Sequence, residues 1–215
     1  MKTNLWGAAA AALMLCVAPA ASAKVMVATY TGVVTYTLGD TSLFGPTTGI
    51  GSAFDLIFRY DTDVGQVTDN LPDQVAILGG ALVTPAGPSP MRAAVIRIDG
   101  VTRAFAPEAQ GSIALDFAGG EILHSGLHCP SFCESMSAEF QPTLMPASLT
   151  SDLDLDGTGQ GNFNFAQGGR AVFAYLDLQH LTISAAPEPG VWISLVGGLF
   201  GAGALLRRRK APIPA

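Results

Sequence analysis

Ala53-Phe54-Asp55-Leu56-Ile57-Phe58-Arg59-Tyr60 alternates along its length, with Phe54, Leu56, Phe58 and Tyr60 on one side and Asp55 and Arg59 on the other. Side chains of an extended chain point to opposite faces in turn, so a period of two predicts a half-buried strand. The same period, with β-branched and aromatic enrichment, extends outward through Val25-Met26-Val27-Ala28-Thr29-Tyr30 and 33–37. It continues through 92–98, 112–117, 148–155, 162–166 and 171–184. Gly- and Pro-rich stretches such as 45–51 and 84–90 punctuate these segments, and no ordinary amphipathic helix interrupts them. The predicted class is all-β, a β-sandwich or jelly-roll-like body over residues 24–184. It is long enough to bury a core without help from metals or many disulfides.

The whole-chain composition, 49% hydrophobic and 13% charged, is unusual for a soluble globule. Much of the apolar excess sits at the two ends, which therefore have to be set apart from the fold. Between Lys24 and Ala186 the chain carries six basic and sixteen acidic residues, a net charge of −10. A surface this acidic repels phosphate backbones and excludes nucleic acid as an expected partner; divalent cations suit it better.

Residues 1–23 read as a secretory signal peptide. Lys2 supplies the positive start, an apolar run spans 5–17, and Ala21-Ser22-Ala23 is a small-residue cleavage site. The run is short for an uncleaved span, which needs about 20 residues. Cys16 lies within it, with no small residue directly before it, so it belongs to the discarded segment rather than to a lipoprotein anchor.

At the other end Pro187-Glu188-Pro189 breaks the chain. An uncharged apolar run then covers 191–206 and stops at Arg207-Arg208-Arg209-Lys210. As a helix this run spans roughly 24 Å, short of the ~30 Å hydrocarbon core, and snorkelling arginines take up the difference. A buried core helix would carry a polar stripe, which this run lacks, and its four glycines suit a membrane helix. The basic cluster stays cytoplasmic by the positive-inside rule, leaving the body outside, as the signal peptide requires.

Pro187, Glu188 and Pro189, Trp192 three positions later, the short apolar helix and the run Arg207, Arg208, Arg209 together resemble the PEP-CTERM sorting signal. The resemblance covers residues 185–215, and the Ala211-Pro212-Ile213-Pro214-Ala215 extension beyond the basic cluster is a mild departure from it. The segment 32–63, with its Leu43-Phe44-Gly45 loop, is also similar to the bodies of such proteins. The resemblance implies an exported protein of Gram-negative type whose tail is recognised and processed by a membrane exosortase. Its partners would be that enzyme, the membrane and an exopolysaccharide. The protein would be anchored before processing and then reside at the cell surface or outside.

Within the body, Cys129 and Cys133 are expected to pair, because an exported protein meets an oxidising compartment. The competing reading adds His124 and His128 as a tetrahedral zinc site, although the spacing is not a common one. A three-residue gap in a turn argues against thiol redox chemistry. Asp152, Asp154, Asp156 and Gly157 match the opening of a calcium loop, but Phe163 stands where the bidentate Glu is needed. The alternative there is a strand with Leu153 and Leu155 inward and the acids outward, turning through the following glycines into a hairpin. No nucleophile elbow, phosphate loop or dinucleotide fingerprint is present, and His124, His128 and His180 read as strand or loop residues rather than bases. The expected function is therefore non-enzymatic, with no cofactor. A calcium- or glycan-binding module is the alternative and a secreted hydrolase the remote one.

Overall fold

The computed structural model describes residues 25–71, 74–130 and 132–186. Eleven antiparallel strands follow one another: β1 Val25–Gly39, β2 Ala53–Asp61, β3 Gln66–Leu71, β4 Gln74–Gly79, β5 Met91–Ile98 and β6 Val101–Phe105. They continue as β7 Gln110–Asp116, β8 Glu121–His128, β9 Glu134–Pro142, β10 Leu153–Gln167 and β11 Arg170–Ala185. A single 3-10 turn, Thr41–Phe44, is the one helical element among the described residues. The all-β expectation holds.

All eleven strands belong to one sheet in the order β3-β4-β7-β8-β9-β10-β11-β1-β2-β5-β6. β2 and β3 are eight strand spacings apart, roughly 38 Å in a flat sheet. Only the four residues 62–65 join them, a reach of roughly 18 Å. The sheet therefore has to curl until its β3 edge returns beside β2. One sheet doubled over itself thus produces a sandwich-like body.

The curl brings two wings face to face. From one come Tyr30 on β1 and Phe58 and Tyr60 on β2; from the other Ile122, Met136 and Phe140, all at most 1% exposed. The octapeptide that decides the class behaves as its period demands: Phe54, Leu56, Phe58 and Tyr60 are buried, while Asp55 lies outside, paired with Arg97 on β5. Tyr30 meets Phe58 and Phe140 edge-on, at centroid separations of 6.1 and 5.9 Å. Gly126 on β8 leaves room for Pro107 of the β6–β7 connection, to which a Cβ would come within 2.7 Å.

Two strands are longer than their sequence pattern suggests. Residues 25–30 and 33–37 form one strand, β1, which keeps its pairing with β11 through irregularities at Thr31/Gly32 and Val34/Tyr36. Residues 148–155 and 162–166 read as separate strands, but β10 runs unbroken from Leu153 to Gln167. The glycines between them mark close backbone approach, not a turn. A Cβ on Gly159 would lie 2.2 Å from the Glu139 carbonyl oxygen across the β9 pairing. The hairpin turn comes later, at Gly168 and Gly169, whose φ angles of +60° and +77° suit a two-residue type I′ connection.

Candidate functional site

Cys129 and Cys133 form a disulfide across the β8–β9 connection, with Cα atoms 4.1 Å apart. The zinc alternative is not built. Both thiols are consumed, and the two histidines are used elsewhere. His128 stacks on Phe105 at 6.1 Å, and His124 lies at 0% exposure in the core.

His124 occupies an inward position of β8, between Ile122 and Gly126. It sits against Tyr60, Phe58 and Tyr30, with ring centroids 4.8, 5.7 and 5.8 Å away. Its Nδ1 lies 2.7 Å from the Tyr30 hydroxyl, and its Nε2 is buried with no hydrogen-bond partner among the described residues. Donation from the phenol to Nδ1 leaves one orphan, the Nε2–H; the reverse direction would also strand the phenol proton. Burial drives the imidazole pKa down to about 3, so this histidine is neutral. The same burial raises Tyr30 well above its usual range, with the neighbouring Tyr60 adding to the effect. Tyr60 donates to the Leu149 carbonyl at 2.7 Å and is itself raised by desolvation. A neutral base sealed from solvent positions strands; it has no access to a substrate.

The three aspartates of the calcium reading do not converge. In an extended strand, alternate residues on one side stand about 7 Å apart, whereas calcium needs oxygens at about 2.3–2.6 Å around one point. Asp154 Oδ1 and Asp156 Oδ1 each lie 2.9 Å from a different ring nitrogen of His180 on β11. Asp152 instead accepts from the Ala185 backbone N–H at 3.1 Å. Among the described residues, no group of three or more His, Cys, Asp or Glu is placed to hold a metal ion.

A small apolar pocket of about 220 Å³ opens between β4, β7 and the loop before β10, lined by Val75, Ile77, Ile113, Leu115, Phe117 and Leu149 among others. It is smaller than the roughly 300–1,000 Å³ of ordinary ligand sites, and no titratable group lines it.

The outer face of β9, β10, β11 and β1 carries what the sequence reading missed. Cross-strand pairing sets Ser137, Asn162, Tyr175 and Tyr36 in one row across four strands. Glu139, Gln160 and Asp177 form the row beside it, and Ser135, Asn164, Phe173 and Leu38 the row on the other side. Tyr36 and Tyr175 are 43% and 50% exposed, with centroids 5.8 Å apart and ring planes tilted by 43°. Phe173 braces Tyr175 edge-on at 4.8 Å, and Asn162 Nδ2 donates to Ser137 Oγ at 2.7 Å. Outward aromatics on a strand whose inward residues already fill the core were the available signal: Tyr175 and Phe173 alternate with buried Val172, Ala174 and Leu176.

The cleavage residues Ala21 and Ala23, the sorting residues Pro187, Glu188, Pro189, Trp192 and Arg207 to Arg209, and the apolar run 191–206 lie outside the described residues. Within the described residues, no helix is long and apolar enough to cross a membrane. No protein-family model, curated protein or solved structure matches this chain.

Proposed function

We propose that the chain is an exported, non-enzymatic surface or matrix protein whose tail directs it to an exosortase, with an exopolysaccharide as its setting. The supporting observation is that the two ends of the described sheet meet. β1 begins at Val25, two residues after Ala23, and β11 ends at Ala185, two residues before Pro187. The two strand ends lie side by side, with the Ala186 N–H donating to the Val25 carbonyl at 2.8 Å. Among the described residues, the sheet thus runs from Val25 to Ala185, between the two proposed processing segments. The signal peptide and a membrane helix at 191–206 belong to this proposal, as does the absence of a catalytic role. For the last, the sealed state of His124 and the divergence of the three aspartates are the support.

The test is mass spectrometry of protein secreted by paired strains with and without an exosortase. Loss of the tail beyond Pro187 only in the strain with the enzyme is expected. Secreted protein intact through Ala215 in both strains would overturn the proposal.

A further inference from the structure

Outward positions of a solvent-facing strand are ordinarily polar, and a contiguous exposed apolar group calls for an explanation. The inward side chains of β1 and β11 already satisfy the core, so Tyr36, Tyr175 and Phe173 are not needed there. A tyrosine pair across strands contributes something to sheet stability. The amides and hydroxyls beside it, Asn164, Asn162 and Gln160 on β10 and Ser135 and Ser137 on β9, are ordinary for a wet face, but here they set donors and acceptors next to the exposed rings. Two shallow hollows of about 420 and 360 Å³ lie on this face and share Gln160 and Asp177. Each falls within the size range of ligand sites.

We propose that this face binds a neutral polysaccharide, with pyranose rings laid on Tyr36 and Tyr175 and their hydroxyls met by Gln160, Asn162 and Asp177. A pyranose offers an apolar C–H face and a rim of hydroxyls, each both donor and acceptor. The tyrosines supply flat apolar area with few rotatable bonds, and Phe173 holds one of them in place before any ligand arrives. Gln160 and Asn162 bring donors and acceptors, and Asp177 accepts, already oriented by Gln179 Nε2 at 3.0 Å. Charge selects the class of glycan. The residues lining the two hollows include Glu139 and Asp177 and no cation, so uronate-rich or sulfated chains are repelled while neutral ones are not. The binding surface stands apart from the sorting reading, because it requires only the folded body.

The experiment is affinity gel electrophoresis of the full chain in mild detergent, with hydroxyethylcellulose, dextran, xylan or alginate cast in the gel. Retardation of the native chain by at least one neutral polymer is expected, with none by alginate without calcium. Tyr36→Ala/Tyr175→Ala should weaken the retardation at least tenfold, and Gln160→Ala/Asn162→Ala severalfold. Tyr175→Phe, which keeps the ring, should retain most of it and guards against a folding defect in the first pair. No retardation by any neutral polymer, or equal retardation of native and doubly substituted chains, overturns the proposal. So does a dimer on size-exclusion chromatography that Tyr36→Ala/Tyr175→Ala converts to monomer, because the face would then join two copies of the chain. Correct tail processing with no glycan retention would remove this inference alone; retention without processing would remove only the sorting one.

Discussion

Two histidines on the same curled sheet have opposite settings. His124 faces inward from β8, fully buried among aromatic rings, with one nitrogen on the Tyr30 hydroxyl and the other unmatched among the described residues. His180 faces outward from β11, with an exposed carboxylate against each ring nitrogen. Identical side chains thus serve as a neutral packing unit in one place and as a hydrogen-bonded partner of two carboxylates in the other. The surroundings decide. An ion is costly among apolar rings and cheap where solvent and opposite charge are at hand. A polar residue in the core restrains which partners pair, because only a register that brings Tyr30 to β8 gives Nδ1 a partner.

The largest expected consequence is in acid. His124 is held at about 3, against about 6.5 when unfolded, so between those pH values the unfolded chain binds the extra proton. Stability therefore is fully present above about 6.5 and falls as the pH drops toward about 3. At about 1.36 kcal/mol per pH unit, the contribution is roughly 5 kcal/mol over the window. Urea unfolding at a series of pH values should show this loss in the native chain. Tyr30→Phe/His124→Leu, which removes both partners together, should keep only the shallower dependence due to the carboxylates. Equal slopes would mean that His124 is not buried neutral.

A smaller effect is expected at the neighbouring phenol. Tyr60→Phe keeps the ring against His124 but leaves the Leu149 carbonyl without its donor, at a cost of about 1 kcal/mol. A lower urea midpoint at neutral pH with an unchanged m-value would show it. The smallest belongs to the outer histidine. His180→Ala should change stability by no more than about 0.5 kcal/mol, because contacts between exposed polar side chains contribute little. The same urea titration reads any difference as a shift in midpoint. A loss at His180 comparable to that at His124 would break the comparison.

The legible parts of the molecule are those where one face is buried and the other wet. Residues 53–60 fall into register as they read, and so does 171–184, the core of β11. The glycines at 157, 159 and 161 mislead, because a glycine allowing two strands to approach looks the same in sequence as a glycine turning a hairpin. The Cys129–Cys133 pair was legible from its spacing together with the expectation of export, and both ends lie in one tight connection. The carboxylates of Asp154 and Asp156 were rightly placed outward, but their partner on β11, His180, was not visible. It stands opposite Asp156 only through the β10–β11 pairing.

By itself the sequence determined the strand period, the acidic charge of the body, the disulfide and the punctuating turns, because each is set by residues a few positions apart. Tertiary structure alone decided the curl of one sheet into a two-sided body, the meeting of Tyr30 with His124 across 94 positions, and the row joining Tyr36 to Tyr175. Those depend on which strands become neighbours. That choice is made by the summed burial of both wings and by a four-residue link too short for a flat sheet, and no local pattern encodes it.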